Sequence, residues 1–431
     1  MMTMRNSTRP AIGSSVIAIA LVSASSALAQ VTSTTAPPAS STTAIEAQAR
    51  ANDRSATYLD LSGSVGYSSN PYLEAGGGEG SLFGRVSALA GYTRVSSRTT
   101  IDATAYVENQ TYANNNGSKQ LFDLAGTVRH VVTPRLDVYA RGGFSGDVGG
   151  QLGNRFTTLP SAPPPLDTTN PLPPIDVLDP NIISLNRRQY RLLGQGGLSY
   201  KLTERDFANA SVGYQRVIFA RSGSQLDYGT VTGSFGWDRV FSARTTAGLR
   251  VVAERSDYRA GGESTIISPA ITATTQLAQN WTLSGSAGVS FVRNNTLFSS
   301  ERTTGFSGDV SLCKSGELER LCASLSRSAQ ASLGQSVVTA TSAGVSYFRR
   351  MGARDTVQLG GNVSRSTGGN TLLVADKSTY YSLNSSFNRR FSPRLSAGVQ
   401  GAVRRVERTG SGVPTDVTGT VFLRYRLGDL S

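Results

Sequence analysis

The chain has 431 residues, room for two or three soluble domains. Its composition argues against them: 46 Gly, 16 Tyr and 15 Phe in a chain only 38% hydrophobic leave too little aliphatic material for several helical cores and too many rings for plain disorder. Two Cys and one His exclude a disulfide scaffold, a four-cysteine cluster and a His-rich metal site, so neither metal nor cofactor is expected. The formal charge of +13 is spread along the chain without a basic run, which speaks against nucleic acid as a partner.

The first 29 residues read as an export signal. Arg5 and Arg9 supply a positive start, Ile12 to Val22 a short apolar run, and Ala27-Leu28-Ala29 a small-residue cleavage site, so cleavage is expected near Ala29. Residues 30–56 form a Thr/Ser/Ala/Pro linker, read as a flexible periplasmic segment. From residue 57 the period changes to two. Leu59, Leu61 and Val65 alternate with Asp60, Ser62 and Ser64, and Val417, Val421 and Leu423 with Thr418, Thr420 and Arg424. One face is thinly apolar; the other is Ser, Thr, Gln and Arg, too hydrophilic for the core of a sandwich.

The turns repeat as well. VSSRTTI (95–101), VTPRLDV (132–138), LTERDFA (202–208), FSARTTA (241–247) and FSPRLSA (391–397) share an apolar residue, Ser or Thr, any residue, then Arg. AQNWTLS (278–284) and RMGARDTV (350–357) occupy equivalent places, at a spacing of about 36–40 residues outside one long insert. The pattern predicts eighteen strands, with sixteen as the alternative: 57–69, 82–95, 99–112, 119–131, 136–145, 187–201, 206–219, 227–240, 245–257, 265–277, 281–293, 303–313, 320–333, 338–349, 355–366, 378–391, 395–407 and 415–427. Each suits a tilted bilayer crossing of about 9–11 residues. Short turns at one end, long polar loops at the other and a two-sided alternation are the signature of an all-β, antiparallel transmembrane β-barrel spanning 57–431. Hydrocarbon tolerates no unpaired backbone group, and only a closed sheet leaves none. The expected site is the outer membrane of a Gram-negative bacterium, with its lipid and the barrel-assembly machinery as partners. The oligomeric state is left open. A secreted soluble β-solenoid would show shorter repeats with stacked identical residues.

The repeated Ser/Thr-x-Arg turn with this strand pattern over 57–427 resembles the type 2 β-barrel porin family. The resemblance implies an outer-membrane barrel and, for some members, an association with exopolysaccharide export, which would add polysaccharide-export components as partners.

Three features could carry function. By alternation, Arg85, Arg129, Arg141, Arg187, Arg191, Arg250, Arg404, Arg424 and Arg426 face the lumen, with Asp102, Glu108, Asp123, Asp137, Asp238, Glu254 and Asp309 against them. The excess of bases points to a mild anion preference, unless the charges pair across strands and only hold the wall. The insert 146–186 holds eight of the 16 prolines and Asp147, Asp167, Asp176 and Asp179. It is expected to be either an inward constriction loop or a surface loop. Cys313 and Cys322 share the lumen phase across a hairpin, and an exported chain is oxidised, so a structural disulfide is expected. Lumen aromatics number only three by this phasing: Tyr106, Tyr139 and Phe422. Catalysis is not expected, because the lone His130 lies beside a short turn on the apolar phase. The expected function is a porin-like channel for small polar or anionic solutes. The alternatives are an accessory barrel of polysaccharide secretion and a non-conducting structural or adhesive barrel.

Overall fold

Strict alternation with hydroxyl-rich turns favours long strands, and in the computed structural model each strand pairs on both sides. The structure describes residues 54–74, 77–114, 117–147, 188–220, 227–259, 261–296, 300–332, 336–368, 377–408 and 412–428. The export signal, the linker up to residue 53, residues 148–186 of the insert and Arg187 lie outside them.

The first half of the sheet comprises β1 (Arg54–Ser68), β2 (Ser81–Val95), β3 (Thr99–Tyr112), β4 (Ser118–Thr133), β5 (Leu136–Asp147), β6 (Gln189–Lys201), β7 (Asp206–Phe219), β8 (Tyr228–Ser242) and β9 (Thr245–Tyr258). The second half comprises β10 (Glu263–Ala278), β11 (Trp281–Asn295), β12 (Ser300–Ser315), β13 (Glu319–Ser332), β14 (Ser336–Met351), β15 (Asp355–Thr367), β16 (Lys377–Arg390), β17 (Leu395–Arg408) and β18 (Thr415–Gly428). Each strand pairs antiparallel with its neighbours in sequence, and β1 pairs with β18 from Tyr58↔Gly428 to Ser68↔Thr418. The result is an 18-stranded closed barrel without a free lateral edge over most of its height.

Eighteen strands were expected and eighteen form. Two strand starts differ from expectation by three residues, and the other ends by two at most. β1 begins at Arg54, so three residues assigned to the linker belong to the barrel, and β12 starts at Ser300 rather than 303. In both places backbone pairing continues past the apolar alternation, which marks only the part of a strand inside the apolar band.

The outer surface carries that band. Leu61, Val86, Phe235, Leu249, Ile271, Leu383 and Val421 are exposed on outward positions. A continuous apolar belt of this kind is a liability in water and matches hydrocarbon. Tyr92, Tyr200, Phe241, Phe391 and Tyr425 edge it at the short-turn end, and Tyr67 and Phe291 at the long-loop end.

The turn motif has a physical reason. Its Ser or Thr hydroxyl accepts backbone N–H groups of the turn: Ser96 from Thr99 (3.0 Å), Thr203 from Arg205 (3.2 Å) and Asp206 (3.0 Å), and Ser392 from Leu395 (3.0 Å). The arginine contributes its carbonyl, which accepts an N–H from the end of the strand two places on: Val131 to Arg98 (2.8 Å), Lys201 to Arg135 (2.8 Å), Val240 to Arg205 (2.8 Å). The same bond recurs at Arg244, Arg354 and Arg394, and at Asn280 and Leu318 where the arginine is missing. The six arginine side chains stay exposed, with no carboxylate partner among the described residues.

The closing seam has its own lock. Arg426 on β18 donates to both oxygens of Asp60 on β1 (2.7 Å each), and the Tyr58 ring lies 4.7 Å from the guanidinium. Gly91 on β2 makes room for that ring, since a Cβ there would overlap it.

Cys313 and Cys322 are register partners of β12 and β13 and are joined by a disulfide. A serine at either position is expected to lower stability by roughly 2 kcal/mol, a value suited to a short closed loop. Urea unfolding of the refolded barrel, with and without reductant, checks this; reductant should have no effect on the serine variant.

Candidate functional site: a lumen narrowed from two sides

The inward face is built mainly of hydroxyls in cross-strand pairs. Ser62–Ser87 (2.6 Å), Ser211–Ser234 (2.8 Å), Thr230–Ser256 (2.8 Å), Ser268–Ser290 (2.8 Å) and Ser284–Ser311 (2.7 Å) each satisfy one another across a ladder. Into this lining the sequence sets charges, and the register pairs many of them. Arg85 meets Glu108 (3.4 Å), Arg129 meets Asp137 (2.8 Å), Arg250 meets Asp309 (3.7 Å) and Arg404 meets Asp416 (2.6 Å). Tyr106 also donates to Glu108. Asp102 accepts from Thr93 (3.0 Å) near the short-turn mouth, and Asp238 from Asn209 (3.0 Å) and Thr272 (3.2 Å). Arg191 donates to Gln215 (3.0 Å). Asp123 lies on the inward side of β4 opposite Tyr106, and Asp147 ends β5, buried. Arg141 and Arg424 ion-pair with no carboxylate among the described residues. Arg187, Asp167, Asp176 and Asp179 lie outside those residues.

Two segments leave the wall and fill the long-loop end. The first is the β1–β2 connection. Asp416, fully buried, collects the Asn70 N–H (2.9 Å), the Ser68 hydroxyl (2.7 Å), the Thr418 hydroxyl (2.8 Å) and two Arg404 nitrogens (2.6 and 3.2 Å). This hub turns the chain inward at Asn70, whose side chain is bracketed to Glu74 in both directions (3.0 and 3.1 Å). Leu73 then adopts a left-handed φ of 53° and buries its side chain with Tyr380 and Val406. The left-handed backbone costs about 1–3 kcal/mol; burying the leucine returns about 1.5–3 kcal/mol. Lys119, buried, lies 3.8 Å from the Tyr72 ring and donates to the Tyr112 hydroxyl (3.2 Å). Burial, then the Glu74 carboxylate, push the Tyr72 phenol above its ordinary value, so the ring facing the lysine stays neutral.

The second segment is the tip of the β13–β14 hairpin. The β12–β13 ladder runs from Ser315↔Arg320 only to Gly308↔Arg327. Beyond that, β13 and β14 stay paired with each other to Ser332↔Ser336 while β12 continues along β11 to Ser300. The released tip enters the lumen: the Ala331 N–H donates to the Glu254 carboxylate on β9, four strands away. Ala331 and Val338 form one buried cluster with Val217, Phe219, Tyr228 and Tyr258 of β7, β8 and β9. Ile266 on β10 and Val292 on β11, both inward, are buried beneath it. Under the tip, Arg141, Gln195, Gln215, Glu254 and Gln330, together with Leu193, Tyr228 and Ala331, line a small cavity of mixed character.

Sequence reasoning undercounted the lumen aromatics. Phe83, Tyr112, Phe219, Tyr228, Tyr258 and Tyr380 also point inward and are buried, because they sit at the long-loop ends, where the two segments cover them. One signal was available: the expected spans 320–333 and 338–349 leave an outer connection of four residues, short for the loop end.

No family model matches the chain, and no curated protein matches it. Similar solved structures include Pseudomonas aeruginosa OpdQ (9% identity, TM-score 0.44, 87% of this chain and 98% of that one). OccK2 (OpdF) of the same organism has 10% identity and a TM-score of 0.44, covering 87% and 98%. The FrpB iron transporter of Neisseria meningitidis has 9% identity and a TM-score of 0.45, covering 88% and 82%. The strand number and closure described above rest on this chain's own register.

Proposed function

We propose that this chain is an outer-membrane channel that lets small polar and anionic solutes diffuse across, with its long-loop end narrowed by the β1–β2 segment and the β13–β14 tip. One observation carries the reading: a closed ladder with an apolar belt outside and a lining of hydroxyls and paired charges inside. Ion pairing neutralises many of the lumen arginines, with Asp60 and Asp416 adding to the acids that face them, so the wall itself selects weakly. Anion preference comes instead from the short-turn mouth, where Arg98, Arg135, Arg205, Arg244, Arg354 and Arg394 are exposed.

Single-channel recording of the refolded mature protein in a planar bilayer, under an asymmetric salt gradient, tests this. Stable steps with an anion-biased reversal potential are expected at about 0.1 M salt, where charges act over about 10 Å, and the bias should fade near 1 M, where they act over about 3 Å. Glutamine at the six turn arginines should remove the bias and leave the conductance. A folded barrel that passes no current would overturn the channel reading.

A further inference from the structure

The outer part of β12 is an open strand edge in an otherwise closed wall. Among the described residues, Ser300–Ser307 have β11 on one side and no strand on the other. Ser300 to Phe306 are exposed on both faces, and Phe306 is 60% exposed. An open edge is a template for a further strand.

We propose that this edge is a docking surface whose occupant is the outer half of β13, and that docking withdraws the hairpin tip from the lumen. The inference rests on the channel reading for its effect on conduction, but not for the docking itself. Three observations choose this occupant. First, the surface continues an existing interface: the ladder Cys313↔Cys322 to Gly308↔Arg327, extended in register, sets Ser307 opposite Ser328, Phe306 opposite Ala329, and Thr304 opposite Ala331. Second, the alternation of β13 does not change where the strand leaves the wall. Leu321, Ala323 and Leu325 face outward below the split, Arg327 stands exposed on that phase at the split, and Ala329 and Ala331 continue it above, with Ser324, Ser326, Ser328 and Gln330 on the other. A docked tip would therefore turn small apolar residues to the belt and polar ones to the lumen, as every other wall strand does. A strand selected only as a lumen plug has no need of that order. Third, the disulfide sits at the root of this one hairpin. It fixes the register of β12 against β13, so a moving tip can return to one pairing only; a slip by one residue would reverse both faces.

The two positions exchange comparable groups. In the lumen the tip has the Glu254 bond and the apolar cluster with Tyr228 and Tyr258. In the wall it would gain a ladder of backbone hydrogen bonds to Thr303–Ser307, of which Thr303 to Phe306 are exposed in the present state.

One cysteine position reads both states. Ala331 contacts Glu254 now and would face Thr304 when docked. In intact membranes, A331C/T304C should form a cross-link under mild oxidation, whereas A331C/F306C, two residues out of register on the same face, should not. A331C/E254C should trap the tip in the lumen. Cross-links are scored by protease cleavage between the two positions and gel migration, which needs no current. Oxidised A331C/T304C should conduct about twofold or more above its reduced form, and A331C/E254C should conduct at or below it. Absence of the A331C/T304C cross-link above the out-of-register control overturns docking even if the wild type conducts. A cross-link with no current from any variant keeps docking and overturns the channel instead.

Discussion

Alanine at Asp416 should cost about 3–5 kcal/mol, because it strands the buried Arg404 guanidinium without its partner. The loss extends beyond the pair. Asp416 also receives Ser68 and the Asn70 N–H, so its removal releases the turn that sends Leu73 and Tyr72 into the lumen. Asparagine would keep an acceptor for Asn70 but set an amide against Arg404, and should be destabilising too. The double variant R404M/D416L removes both charges and should recover much of the single-site loss. Denaturant unfolding of the refolded barrel measures the series, and faster protease cleavage between residues 69 and 80 should report the released turn in D416A. Wild-type stability of D416A, or a double variant no better than the single one, would remove the hub from the account.

The second large effect concerns conduction. Ala329 and Thr339 are register partners, so residues 330–338 can be replaced by Asn-Gly, a two-residue connection suited to a hairpin turn. The shortened barrel keeps all the strands that build the wall, but lacks the part that reaches Glu254 and the Tyr228–Tyr258 cluster. Its conductance should rise about twofold or more, in line with the wider bore an unfilled barrel of this size leaves. Unchanged conductance in a folded variant would mean that the tip does not limit passage. This deletion and the Asp416 substitution act on opposite sides of the bore, around β9 and around the β1–β18 seam, so their effects on stability should add within error.

What alternation can say explains which parts were legible beforehand. It assigns a face, and so Arg85, Glu108, Arg250 and Arg404 could be set inward with no structure at all. It also located the strands closely, because the Ser/Thr-x-Arg turn punctuates them. It assigns no partner. That Asp416 meets Arg404, or that Arg426 meets Asp60 across the closure, depends on register between strands up to 366 positions apart. The tip of β13–β14 showed itself only in its short connection, for a different reason: Ala329 and Ala331 carry the wall pattern although they lie off the wall, so the sequence describes a strand whose present place it does not encode. Leu73 was visible as an apolar residue in a polar loop, but its burial follows from a hub formed by residues more than 300 positions away.

The short turns have a consequence for how such a molecule changes size. Among the described residues all eight are closed by a main-chain carbonyl that grips the end of the hairpin ahead, from Arg98 to Arg394, and five of them also by their own hydroxyl. None of it depends on which side chains stand in the neighbouring hairpin. A gene duplication or loss of one whole hairpin would regenerate the joint on both sides, whereas a single strand could not be added without inverting every partner after it. The Asp60–Arg426 pair and the Asp416 bonds to Ser68 and Asn70 sit where first and last strands meet, untouched by insertions elsewhere. Bore diameter in this architecture is therefore a quantity that evolution can count out two strands at a time.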